Sequence, residues 1–420
     1  MNLLILPFLA IGVGGYLLVR LRFFFILHPI RTAREFLSDL HDREVRRSFF
    51  LALAGTLGVG NIFGVCAGIM IGGAGSIFWL FVSSLFAMII KYAETLLVFD
   101  SRVTRGGMSS AIKHNMPYLG RILSPFYALL TLLLSLFMGS ALQSAALLST
   151  LDITLRVKPL VGSVILIILL MPCLFGDGRK IENITEIIIP MTTMIYIIGC
   201  FGVIFANFER LGEVVCEIVR SAFNFRSAIG GGLSFLVIKE GFARGILSNE
   251  AGCGTSAMAH IRSTGRSPHR AALFAMYEVF FDTGLLCMLT GLSVLVSVKN
   301  ISAFTTPMEL IGVAFYSVYG DISSILLPFI ILAFAYSTIV CWFYYGRESA
   351  VLLHPCLSLI FPILFLSFIL FSAGMNTESL LYPTDVILLF MSIITLSLII
   401  KKSSRIALVS RDGREKENPE

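Results

Sequence analysis

Residues 48–73 read SFFLALAGTLGVGNIFGVCAGIMIGG. A bilayer core about 30 Å thick needs roughly 20 apolar residues per helix, so this uncharged run can cross it. In lipid every backbone N–H and C=O must be paired within the structure, which makes a long apolar run a helix. Gly55, Gly58, Gly60 and Gly64 nevertheless crowd its centre, and glycine is a poor helix former. A crossing helix broken near Gly58, with backbone groups left unpaired in mid-membrane, reconciles the two facts. Residues 228–260 repeat the pattern, interrupted by Gly230 to Gly232, Gly241, Gly245, Gly252 and Gly254. The competing explanation is that small residues merely let helices pack closely.

Outward from these two stretches, apolar runs fall near residues 2–19, 76–99, 122–150, 159–175, 182–206, 271–298, 323–345, 353–372 and 384–400. With the glycine-broken pair they predict an all-α polytopic membrane protein of about 11 transmembrane helices. Composition agrees: 56% of the 420 residues are hydrophobic and 14% charged, against about a quarter charged in soluble domains, and mean hydropathy is +0.88. With the N-terminus outside, most of the 32 Lys and Arg fall in inner loops. Only Arg156, Lys158, Arg210, Arg220, Arg226 and Lys299 then lie in outer ones, as the positive-inside rule requires. The expected location is a bacterial inner membrane, multi-pass, with the C-terminus cytoplasmic. The first run has no Lys or Arg before it and Arg20 and Arg22 after it, the reverse of a secretory signal, so it should remain as a first helix.

Beyond that helix, the two broken runs head successive sets of five that cross in opposite directions. Paired broken spans of this kind point to an inverted-repeat transporter whose site lies at the breaks. The expected organisation is an N-terminal helix and basic loop over 1–47, a first five-helix repeat over 48–206, an external connection over 207–227, a second, inverted repeat over 228–400, and a cytoplasmic tail over 401–420. The net charge of +6 is spread through short loops, so no nucleic-acid partner is expected. Of the eight cysteines, Cys66, Cys173, Cys200, Cys253, Cys287 and Cys341 fall in or at the ends of spans with no CxxC pair, which reads as packing. The six histidines sit in loops or at span ends without an HExxH pattern, so neither a catalytic nor a metal centre is expected. A membrane-embedded transferase, the alternative from another class, would need a His/Asp/Arg cluster at one face, and a channel would need charged rings or filter carbonyls.

The stretch from Ala54 to Ile62 offers freed N–H groups suited to a carboxylate and freed carbonyls suited to a small cation. Asn61 either bridges the two or makes an ordinary interhelical hydrogen bond. Gly58-Val-Gly60 is no dinucleotide fingerprint, because Phe63 holds the third glycine position. In GFARGILSNEAGCGT, residues 241–255, Ser248 and Asn249 are pocket candidates, while Arg244 and Glu250 are either functional or paired as a clamp. Gln143 is the amide that interrupts an apolar run. Ser337 and Thr338 can contribute hydroxyls to a sodium shell or bond their own helix, and Trp342 can cap a small apolar side chain. Lys91, Glu94, Glu278 and Asp282 are further ionisable groups inside spans; Lys91 and Glu94, at i and i+3, can pair.

Taken together, AGTLGVGNIFGVCAGIMIGGAGSIFW (54–79), GDGRKIENITEIIIP (176–190), GFARGILSNEAGCGTSAMAH (241–260), FDTGLLCMLTGL (281–292) and AYSTIVCWFYYG (335–346) resemble the alanine or glycine:cation symporter family, in order, from about residue 20 to 400. The resemblance implies a leucine-transporter-like 5+5 inverted repeat with one extra N-terminal helix. It implies uptake of a small neutral amino acid, alanine (D-alanine included) or glycine, coupled to sodium and in some members to protons, by a monomer in the lipid bilayer with no organic cofactor. Carried over, the substrate and ion positions include Thr56, Val59, Gly60, Gln143, the span bearing Ser248 and Asn249, Thr338 and Trp342. The expected substrate set is thus Thr56, Gly58, Val59, Gly60, Asn61, Gln143, Ser248, Asn249 and Trp342, and the sodium set Gly58, Ser337 and Thr338. Three departures stand out: Val59 where the family often has threonine, residues 72–81 without the family's proline and second tryptophan, and Gly106-Gly-Met-Ser-Ser110 in place of its usual loop.

Overall fold

A computed structural model describes residues 5–174, 178–223, 232–262, 267–375 and 377–416, and all regular structure among them is helical. The first crossing helix, α1 (Ile5–Arg20), is apolar up to its basic end. Arg22 and Phe23 then take left-handed φ values of 57° and 50° and turn the chain into the short helices α2 (Phe24–Leu27) and α3 (Pro29–Asp39).

The decisive stretch folds as two half-helices, α4 (Arg43–Thr56) and α5 (Gly60–Gly72). Asp42 starts α4 by accepting hydrogen bonds from the N–H groups of Glu44 at 2.8 Å and Val45 at 3.4 Å, a common N-cap arrangement. The break falls at Leu57, Gly58 and Val59. After it come α6 (Gly75–Asp100), the short connecting helix α7 (Gly107–Asn115), and one long crossing made of α8 (Gly120–Leu134), a π-helical segment Ser135–Leu142 and α9 (Gln143–Leu155). Helices α10 (Pro159–Leu174) and α11 (Gly178–Ala206) complete the first set.

The connection that follows carries α12 (Phe208–Ala222), and the second set opens with α13 (Gly232–Asn249), a break from Glu250 to Ser256, and α14 (Ala257–His260). Gly230 and Gly231 lie outside the described residues. The break is held open by left-handed φ values of 55° at Glu250, 96° at Gly252 and 69° at Gly254, while Asn249 Oδ1 accepts a 3.0 Å bond from the Ala251 N–H. Gly241 and Gly245 do something else. A Cβ on Gly245 would sit 1.9 Å from Ser83 Oγ, and one on Gly241 would sit 2.5 Å from the Ser76 carbonyl oxygen. Those two let α13 press on α6, so both explanations of the glycines hold, at different positions.

The remaining crossings are α15 (Pro268–Val279) continued by a π-helical segment Phe280–Cys287 and α16 (Met288–Ser297), then, after the connecting helix α17 (Pro307–Tyr319), α18 (Ser323–Leu353), α19 (Pro355–Ser372) and α20 (Thr377–Lys416). Eight described segments are long and apolar enough to cross a membrane, with Leu6–Arg20 and Pro159–Leu174 as shorter apolar helices. Together with α13, whose Lys239, Glu240 and Arg244 lower its hydropathy, they form the eleven segments expected. Two connecting stretches carry helices of their own, α12 and α17; the second begins at a capping box between Thr306 and Glu309. Helix α20 runs on unbroken past residue 401 to Lys416.

Candidate binding site

The two broken spans meet beside the first break. A narrow cavity of about 40 Å³ between α5, α9, α13 and the start of α20 is lined by Thr56, Val59, Gly60, Asn61, Gln143 and Ser248, with Arg244 and several apolar side chains beside them. Such a space holds only about three water-sized groups. Gln143, the first residue after the π segment, accepts a 3.0 Å hydrogen bond on Oε1 from the Val59 N–H, one of the backbone donors that the break frees. Gly58 makes room for it, since a Cβ there would stand 2.7 Å from Gln143 Oε1 and 2.9 Å from its Nε2.

On the opposite side of the break, Thr338 Oγ1 lies 3.1 Å from the carbonyl oxygen of Leu57 and 2.9 Å from that of Phe334 on its own helix. Ser337 turns its hydroxyl only to Ala333 and Phe334, in α18 itself. Trp342 is fully buried behind the break, where its indole N–H donates to the Gly55 carbonyl at 3.1 Å, and it does not line the cavity. Thr56 lines it but returns its hydroxyl to the Leu53 carbonyl at 3.2 Å.

Asn61 and Ser248, one from each broken span, meet on a carboxylate from the second π segment. Asn61 Nδ2 donates to Asp282 Oδ1, Ser248 Oγ donates to Asp282 Oδ2 at 2.9 Å and lies 3.0 Å from Asn61 Oδ1, and Thr283 Oγ1 donates to Asp282 Oδ2 at 2.7 Å. π segments tend to occur where a helix re-aims functional side chains. Asn249 stands one layer further in, donating to Thr283 Oγ1 at 3.0 Å. Asp282 was visible in the sequence only as one of four intramembrane ionisable groups; its role as the junction of both breaks had no signal in spacing.

Two pairings suggested by the sequence are corrected. Lys91 bonds Glu278 at 3.1 Å and Ser256 at 3.0 Å rather than Glu94, because its side chain is aimed across to α15 and the second break. Arg244 pairs with Glu240 at 3.3 Å, one turn back on the same face of α13; Glu250 lies past the helix end and accepts from Thr255 at 2.7 Å. His260 Nε2 lies 3.2 Å from Glu278. These buried groups brace the second break against α6 and α15.

Comparison with known proteins adds three observations. A family model described as the sodium:alanine symporter family matches residues 1–418. Among curated relatives, the sodium/alanine symporter AgcS of Methanococcus maripaludis is 30% identical over 81% of this chain and 78% of its own, and the probable sodium/glutamine symporter GlnT of Bacillus subtilis is 29% identical over 86% of this chain and 76% of its own. The solved structure of MhsT in complex with L-phenylalanine is similar with a TM-score of 0.58 at 14% identity, covering 87% of this chain and 91% of that one. At that identity the likeness shows the fold, the leucine-transporter-like arrangement.

Proposed function

The chain belongs to the sodium:alanine symporter family, and from that premise we propose that it imports alanine, in either enantiomer, or glycine together with sodium by alternating access. A cation-coupled amino-acid carrier in a membrane follows from the family; the cargo, the ion and the residues that hold them are our reading. The observation that carries it is the pair of contacts at the first break, Gln143 on the Val59 N–H and Thr338 at the Leu57 carbonyl. The first marks a donor at the start of a half-helix, where the positive end of the helix dipole favours a carboxylate. The second marks a carbonyl and a hydroxyl, both oxygen ligands of the kind sodium takes.

In this reading the substrate carboxylate takes the Val59 N–H from Gln143, whose amide then turns a donor toward it, with Thr56, Gly58, Gly60, Asn61, Ser248 and Asn249 around the zwitterion. Sodium sits among the carbonyls near Gly58 with Thr338, and Ser337 joins by turning from its own helix. Trp342 confines the site from behind Gly55. Cation and zwitterion bind at the two breaks, and one bundle of helices rocks against the other. Inward movement of one positive charge at about 100 mV supplies roughly 2.3 kcal/mol, or about fifty-fold accumulation.

Counterflow of labelled alanine or glycine in proteoliposomes tests this reading. Sodium-dependent exchange is expected, with leucine a poor competitor because the cavity is so small. No exchange with any neutral amino acid would remove the reading. Exchange that ignores sodium and follows a pH gradient would replace the ion, and leucine competing as well as alanine would replace the size limit.

A further inference from the structure

A second and larger space lies at the other end of the molecule's crossing helices. Between the end of α1, the α2–α3 segment and the last turns of α20 opens a cleft of about 1130 Å³, lined by Arg20, Arg22, Arg31, Arg411 and Arg414 and by none of the residues at the breaks. Two of these arginines are neutralised locally, Arg31 by Glu35 at 2.9 Å and Arg411 by Glu415 at 2.6 Å. The other three have no carboxylate partner among the described residues. Arg20 donates to Ser404 Oγ at 3.0 Å, and the Arg414 guanidinium lies 4.9 Å over the Phe24 ring. The Arg22 side chain makes neither a hydrogen bond nor an ion pair with any described residue, and only its backbone N–H is engaged, by the Val19 carbonyl at 3.0 Å.

Three further features describe what fits there. Arg20 is the last residue of a crossing helix, so the cleft stands at the membrane boundary. Its lip is apolar: Val19 is 66% and Leu408 56% exposed, on the flank continuous with the apolar faces of α1 and α20. The chain also holds two successive non-glycine residues, Arg22 and Phe23, in the left-handed region, strain of a kind that collects at ligand clamps. Guanidinium groups match phosphate oxygens in geometry and charge, and basic pockets between helices at this depth suit anionic lipid headgroups.

We infer that this cleft binds one anionic phospholipid, with its phosphodiester among Arg20, Arg22 and Arg414 and an acyl chain along Val19 and Leu408. The apolar lip favours a lipid over a free phosphate, which would leave it uncovered. The consequence reaches the carrier reading, on which this part rests: the outer end of α20 supplies Thr377 and Leu381 to the amino-acid cavity, so a lipid that fixes the inner end of α20 steadies a wall of that cavity.

Native mass spectrometry tests the lipid site without any transport measurement. Protein taken from nanodiscs of phosphatidylcholine mixed with phosphatidylglycerol should retain one phosphatidylglycerol. Arg22→Gln should lower that retention about fivefold, the effect of one surface arginine on an anionic lipid, and adding Arg414→Gln should lower it further. Arg22 has no internal partner to lose, so folding is not at stake. Lys113→Gln, at an exposed position on α7, should change nothing. Equal retention of phosphatidylcholine, an unaltered Arg22→Gln variant, the same loss in Lys113→Gln, or displacement by inorganic phosphate would each overturn the inference. A retained lipid with no amino-acid exchange would instead leave this site standing and remove the proposed cargo.

Discussion

Thr338 is where the coupling ion can be separated from ordinary helix chemistry. Its hydroxyl is shared between the Leu57 carbonyl at the break and the Phe334 carbonyl of its own helix, and Val59 leaves no second hydroxyl where the family often has one. Thr338→Ala is therefore expected to raise the sodium half-saturation about fivefold, on the scale of one hydrogen-bonding group, with little effect on substrate affinity at saturating sodium; Thr338→Ser should be tolerated. Transport measured against sodium concentration checks it, and an unchanged half-saturation in Thr338→Ala would leave Thr338 as a residue bonded to its own helix. Gly58 carries a second prediction. A methyl there would meet the Gln143 amide at 2.7 to 3.0 Å, so Gly58→Ala should cost about 1–3 kcal/mol by overpacking, read as a lower melting temperature in detergent. In a Gln143→Ala background the same change should cost far less, because the atoms it strikes are gone. Additive losses would show that the two residues do not meet.

Broken helices were legible in the sequence for a physical reason: glycine density inside an apolar run contradicts the helix that lipid demands, and α4/α5 and α13/α14 each break at a glycine-bearing stretch of such a run. Partners chosen across elements were not legible. Lys91 and Glu94 are neighbours on one helix face, yet Lys91 reaches Glu278, 187 positions away in the chain; spacing along one helix carries no information about what the next presents. For the same reason Asn61 and Ser248 could be named separately but not joined through Asp282, and Trp342, named for the pocket, turns its indole to Gly55 instead. The Lys91 pairing is open to test at this scale. Both side chains are fully buried, and removing one partner of such a pair costs about 3–5 kcal/mol by leaving the other charge uncompensated. Lys91→Met should melt far below the wild type, and Lys91→Met with Glu278→Gln should regain most of the loss. Recovery with Glu94→Gln in place of Glu278→Gln would mean that the helix neighbour is the true partner.

The whole molecule must also sit in the membrane one way round; its charges predict which, and its two exposed cysteines allow a test. Most Lys and Arg fall on the side that carries α7, the 261–270 connection and the end of α20, and the positive-inside rule predicts that side to be cytoplasmic. Six of the eight cysteines are buried, and only Cys216 and Cys356 are exposed. Cys216 lies on α12, in the connection between the two sets of five, and Cys356 at the first turn of α19. One further crossing separates these positions for every span between them, α13/α14, α15/α16 and α18, so an odd number of crossings puts them on opposite faces. A membrane-impermeant maleimide added to intact cells should therefore label the wild-type protein once, and Cys216→Ser should abolish that labelling. Cys356 should react only after the membrane is opened, and Cys356→Ser should leave the intact-cell signal unchanged. Labelling that survives Cys216→Ser but is lost in Cys356→Ser would invert the orientation and place the arginine cleft outside. Both cysteines reacting in intact cells would contradict the odd count of crossings between them.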